Sequence, residues 1–118
     1  MTADERRARL RRGRFAETLA AAALMAKGYR ILGRNVKTRA GEIDIIAVRG
    51  QRVAFVEVKR RLTGEDVEAA VSTRQAARIR VAADYWLSRR PRYQQHDQAF
   101  DLMLLVPRHW PRHVPDGL

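Results

Sequence analysis

Residues 41–59 read GEIDIIAVRGQRVAFVEVK, and the pairing of this stretch with itself decides the fold. Two runs rich in Ile, Val and Phe, 42–48 and 52–59, flank Gly50-Gln51. Such runs favour strands, and a Gly-first pair suits a two-residue type II′ hairpin turn. Folding about that turn sets Arg49 opposite Arg52, and every opposed pair then sums to 101 in residue number. One face carries Ile43 with Val58, Ile45 with Val56 and Ala47 with Ala54. The other carries Val48 with Val53 and Ile46 with Phe55, followed by Asp44 with Glu57 and Glu42 with Lys59. Strands apolar on both faces belong at the centre of a covered sheet.

This register predicts two carboxylates face to face, about 5 Å apart at Cβ. Like charges so placed destabilise a sheet unless a proton or a cation lies between them. A divalent cation answers that need, and oxygen ligands without Cys favour Mg²⁺ or Mn²⁺ over zinc. Lys59 lies two residues beyond Glu57 on the same face, where its charge orients a water or steadies a phosphoryl oxygen. An ordinary cross-strand salt-bridge cluster of Asp44, Glu57 and Lys59 fits the same spacing.

Outward from the hairpin, residues 4–27 are good helix formers, with Gly28 where a C-terminal cap belongs. Residues 29–36 read as a strand and 38–41 as a turn. Residues 60–68 read as a loop containing Gly64. Ser72-Thr73-Arg74-Gln75 has the form of a capping box, and Ile79, Ala82, Ala83 and Trp86 follow at helical spacing to Pro91. Residues 98–106 form a last strand. The predicted order is α-β-β-β-α-β, an α/β unit with a mixed sheet. Residues 1–106 make one domain, and 107–118, with three Pro and two His, an extended C-terminal tail.

The chain has 118 residues, enough for one core and not for two domains. Lys and Arg number 24 against 13 Asp and Glu, a net charge of +11. Of the 24, 21 are Arg and three are Lys. That balance points to a polyanion, most simply nucleic acid. Cys is absent, which excludes disulfide scaffolds, thiolate metal sites and Cys nucleophiles. No apolar run reaches the length of a spanning helix. Arg11, Arg12 and Arg14 before the apolar residues 19–26 imitate a secretory signal, but the apolar run is short and Glu17 interrupts its approach. No membrane association and a cytoplasmic location are the expectation.

Leu10, Gly13, Glu17, Ala20 and Leu24 form one stripe of the first helix. Glu17 is thus a charge on a largely apolar face, and it meets a metal, an Arg or an N–H donor, or else snorkels to solvent. The arginines at 6, 7, 9, 11, 12 and 14 form a basic helix face for phosphate contact or a solvated one. Pro111 between His109 and His113 spoils a helical metal pair. Ser72 has no His–Asp partners in view and is a cap. Tyr85 and Trp86 are expected in the core. Asp101, entering an apolar strand, is an edge charge or a partner standing behind the site.

The stretch 41–47 followed by Phe55-Val56-Glu57-Val58-Lys59-Arg60-Arg61 resembles the bacterial YraN-like family, which is similar to Holliday junction resolvases of the PD-(D/E)xK nuclease superfamily. The resemblance runs from about Arg12 to Val106 and includes Gly13 with Glu17, Lys27-Gly28-Tyr29-Arg30-Ile31-Leu32, Arg34-Asn35, Ala70-Val71 and Phe100-Asp101. It implies a restriction-endonuclease-like three-layer core. It implies that Asp44, Glu57 and the Val58 carbonyl hold the metal, that Lys59 positions or activates the attacking water, and that Glu17 is a further acidic residue of the site. Two positions depart from the family pattern, which has a Lys near Gln75 and an Arg at or next to Ala99. The departures weaken phosphate contacts, or leave Gln75 as the polar helix residue that some related nucleases use.

The function expected on these grounds is metal-dependent hydrolysis of phosphodiester bonds, with branched or structured DNA as substrate. Arg11, Arg12, Arg14, Arg60 and Arg61 grip the backbone, and a symmetric dimer supplies paired cleavages. The alternatives are a basic binding module that keeps the acidic site without turnover, and an adaptor in a DNA-processing assembly.

Overall fold

The computed structural model describes residues 2–61 and 72–118, and of Arg12 only the backbone. The expected loop around Gly64 and the Ala70-Val71 step lie outside the described residues. Among the described residues the elements are α1 (Ala3–Ala26), β1 (Arg30–Thr38), β2 (Gly41–Arg49), β3 (Arg52–Arg60), α2 (Thr73–Ser88), β4 (Asp97–Leu105) and β5 (Arg112–Val114), with a 3₁₀ turn at Pro91–Tyr93. The sheet order is β1-β2-β3-β4-β5. All neighbours are antiparallel except β3 and β4, which run parallel. Among the described residues no helix is long and apolar enough to cross a membrane.

Both helices begin at reciprocal caps. Thr2 and Glu5 close the box that starts α1, and Ser72 and Gln75 close the one that starts α2, as the sequence predicts. Gly28, at φ +93°, turns the chain out of α1 in a conformation that costs glycine little.

The two helices cover opposite faces of the sheet, giving three layers. On one face α1 lays Ala16, Ala20, Ala23 and Leu24 against Ile45, Ala47, Ala54, Val56 and Met103. Small side chains let the helix approach closely there. On the other face α2 packs Ile79, Ala82, Ala83, Trp86 and Leu87 against Ile46, Val53 and Phe55. The Phe55 ring meets Trp86 edge-on at 5.8 Å and stacks on Phe100 at 5.5 Å. Tyr85, expected beside Trp86 in the core, is instead exposed, because it falls on the outer side of α2.

The hairpin holds the predicted register from Arg49↔Arg52 to Ile45↔Val56. Gly50 takes φ +58° and Gln51 stays at negative φ, the pattern of a II′ turn. Beyond Ile45 the prediction fails. Asp44 and Glu57 are not opposed, nor are Glu42 and Lys59. In the β1–β2 ladder Arg34 pairs with Ile45 and Val36 with Ile43, so Asn35 stands across from Asp44. Asn35 takes φ +51°, a left-handed conformation that Asn tolerates better than most residues. Alternation breaks at this kink. Ile43, expected on the Ile45 face, packs with Ile46 on the α2 face.

The C-terminal segment is also corrected. Within residues 107–118, expected as an extended tail, Arg112–Val114 return to the sheet as β5, pairing Leu102 with Val114 and Leu104 with Arg112. What holds them is Asp101, fully buried on β4. Arg52 grips its carboxylate with both terminal nitrogens at 2.7 and 2.8 Å. His113 Nε2 donates to it at 2.7 Å and the Asp116 N–H at 2.8 Å. Lys27 Nζ donates to His113 Nδ1, which leaves the ring proton on Nε2. Burial works against ionisation of Asp101, but the hydrogen bonds from His113, Arg52 and Asp116 outweigh it and hold its pKa at about 2.

Candidate active site

The candidate site lies where the β2–β3 ladder opens. Past Ile45↔Val56 the Val58 N–H no longer has a β2 carbonyl opposite it. Asp44 Oδ2 takes that hydrogen bond instead, at 2.8 Å. The carboxylate is thereby fixed beside β3 by a side chain-to-backbone bond rather than by a ladder pair. Asp44 and Glu57 still share one cleft, of about 250 Å³, lined also by Gly41, Glu42, Gln75, Arg78 and Ile79. Lys59 Nζ lies 3.1 Å from Glu57 Oε1, and both side chains are largely buried.

Asp44 is the electrostatic centre of this arrangement. Its pKa is raised from 3.8 to about 7, first by burial and then by the charge of Glu57. The Val58 N–H pulls it down, and Glu17 and Glu42 push it further up. An acid so placed holds its proton near neutrality in the absence of a cation.

Glu17 approaches from α1. Its Oε2 is buried and has no hydrogen-bond partner. The nearby arginines do not satisfy that atom: Arg30 reaches Tyr93, and Arg34 reaches back to α1 through Thr18. Glu17 lines a groove of about 780 Å³ beside Arg6, Arg9, Gly13, Arg14, Asn35 and Lys37. Glu42 borders both this groove and the cleft, so the two open on the same end of β2. Among the described residues no three His, Asp or Glu side chains gather closely enough to share one ion. Asp44 and Glu57 are thus a two-carboxylate site, with Glu17 within electrostatic reach and outside any three-acid cluster.

The expected nucleic-acid residues do not gather on one surface. Arg14 belongs to the Glu17 groove. Arg11 is exposed on α1. Arg60 and Arg61 lie at the C-terminal end of β3 and just beyond it, in a different groove beside the β4–β5 connection. Gln75 both caps α2 and lines the carboxylate cleft. Arg78 was missed by the sequence reading. It stands one helical turn from Gln75 and lines the same cleft, and the i, i+3 spacing was the only available signal.

Comparison with known proteins matches residues 16–105 to the family described as Uncharacterised protein family UPF0102. A UPF0102 protein of Rhizobium meliloti (strain 1021) is 49% identical over 92% of this chain and 88% of its own length. One from Rhodopseudomonas palustris (strain HaA2) is 50% identical over 96% of this chain and 88% of its own. One from Brucella canis is 46% identical over 95% and 89%. The matched residues contain the C-terminal half of α1 with Glu17, the hairpin with Asp44, Glu57 and Lys59, and all of α2, and on this footing the chain belongs to the UPF0102 family, the YraN-like proteins.

Proposed function

We propose that this chain is a Mg²⁺- or Mn²⁺-dependent nuclease with a restriction-endonuclease-like core, hydrolysing phosphodiester bonds in branched or structured DNA. The observation that carries this reading is Asp44. It is a carboxyl fixed at the opening of a ladder, burdened by burial and by Glu57, with a further buried and unpartnered oxygen on Glu17 nearby. A cation held at Asp44 relieves the first of these burdens, on Asp44, and eases the second, on Glu17, through its charge. The donor set fits Mg²⁺ or Mn²⁺, since hard oxygens are present and Mg²⁺ is commonly held by one or two carboxylates, with water and substrate phosphate completing its shell. Asp44, Glu57 and the Val58 carbonyl would hold the ion. When bound, it supplies Lewis-acid polarisation of a phosphate and lowers the pKa of a bound water.

The protein's own groups supply the rest. Lys59, beside Glu57, keeps a positive charge at the cleft to orient the attacking water and steady charge on a phosphoryl oxygen. Gln75 and Arg78 present donors from the first turns of α2. Arg6, Arg9 and Arg14 offer phosphate contacts along the adjoining groove. Paired cleavage of a junction calls for a symmetric dimer.

The test is incubation of four-way-junction and supercoiled DNA with Mg²⁺ or Mn²⁺. Cleavage that is lost in Asp44→Ala and in Glu57→Ala, with DNA binding retained, supports the reading. Cleavage that survives both substitutions refutes it. A second reading draws on the Lys59–Glu57 ion pair, which already occupies one oxygen of the candidate ligand. On that reading the chain is a basic binding module, or an adaptor in a DNA-processing assembly, and shows salt-sensitive DNA binding without cleavage in either metal.

A further inference from the structure

A separate groove, of about 660 Å³, lies between α1 and the connection from β4 to β5. Its apolar wall includes Phe15, Leu19 and Val106, and its basic residues are Arg60, Arg61 and Arg108. Phe15 is 66% exposed. Trp110, flanked by two lining residues of the groove, is 70% exposed. An exposed ring in a groove with arginines, and a second exposed ring on the segment that forms its wall, are the features of a ligand-binding surface.

We propose that this groove binds a single-stranded stretch of nucleic acid, with bases against Phe15 and Trp110 and phosphates on Arg60, Arg61 and Arg108. Planar apolar bodies strung on an anionic spine match aromatic side chains set among basic ones. A duplex keeps its bases stacked inside and offers these rings nothing planar. A second copy of the chain carries the same +11 charge and sets arginine against arginine. A bilayer is a flat surface, and the site is concave. Arg60 follows Lys59 directly along β3, and alternation turns the two to opposite faces of the sheet. The groove and the carboxylate cleft therefore share one end of that strand, where an unpaired arm of a branched substrate would pass from one to the other. The proposal shares only its nucleic-acid partner with the nuclease reading and needs no hydrolysis.

The chain holds two tryptophans, and Trp86 is buried, so Trp110, between the lining residues His109 and Pro111, is the exposed reporter. The experiment titrates a short oligothymidine into the full chain in EDTA and follows Trp fluorescence. The expected result is quenching that Trp110→Leu removes, and binding about tenfold weaker in Phe15→Ala and in Trp110→Leu. A duplex of the same length should leave the fluorescence unchanged. Both replaced side chains are exposed, and circular dichroism checks that each variant is folded. Undiminished oligothymidine binding in both variants overturns the proposal. So does quenching by phosphatidylserine vesicles without quenching by the oligonucleotide, or a dimer in sedimentation that Phe15→Ala dissociates. Chelation keeps the outcomes distinct: a protein that never cleaves can still pass this test, and one that cleaves can fail it.

Discussion

The side chain of Asp44 accepts the hydrogen bond of the Val58 N–H at 2.8 Å, standing in for a main-chain acceptor where the β2–β3 ladder ends. This bond holds a carboxylate beside Glu57 without strand pairing. It also keeps the group in a buried position that disfavours its charge.

Asp44→Asn should therefore stabilise the metal-free protein. The folded pKa of about 7 lies above the ordinary 3.8, so the folded state binds the proton more tightly. Stability from this group is full below about pH 4 and falls as pH rises through 7. Asn keeps an oxygen for the Val58 N–H and never ionises. Thermal melts in EDTA should show the variant ahead by up to about 4 kcal/mol at pH 8, with the gap narrowing towards pH 4. The same substitution should abolish the rise in Tm that Mn²⁺ gives the parent protein.

Lys59→Met should separate metal binding from turnover. Removing the ammonium frees Glu57 Oε1 and leaves both carboxylates in place. Mn²⁺ affinity by calorimetry should hold or improve, while the cleavage rate falls by about 10²- to 10³-fold. Equal loss of both would assign Lys59 to holding the site together rather than to the chemistry.

Asp101 makes the opposite pH prediction from Asp44. Its folded pKa of about 2 lies below 3.8, so its stabilisation is present above pH 4 and lost as pH falls towards 2. Asp101→Asn weakens the grip of Arg52 and His113 on a fully buried group and should cost about 3 kcal/mol or more at pH 7. Hydrogen exchange should show β5 opening first, because His113 and the Asp116 N–H are tied to the sheet through this carboxylate.

The hairpin was legible because its signals are local: a Gly-first turn and a strict alternation on either side. The same alternation misled one pair further out. Nothing in the residues around Asp44 announces that Asn35, nine positions upstream, turns left-handed and kinks the sheet there. Asp44 and Glu57, the two carboxylates named from the sequence, share a cleft but are not directly opposed. Asp101 was recognised only as out of place in an apolar strand. Its partner Arg52 lies 49 residues away, and His113 sits in a segment whose prolines suggested no strand. Only tertiary structure brings those three together.

The most direct test of the account is an anomalous difference map from a crystal soaked in Mn²⁺. The account predicts a peak bounded by the carboxylates of Asp44 and Glu57 near the Val58 carbonyl, absent in Asp44→Asn. A map with no peak there, and with Lys59 Nζ still closed on Glu57 at high Mn²⁺, would contradict it.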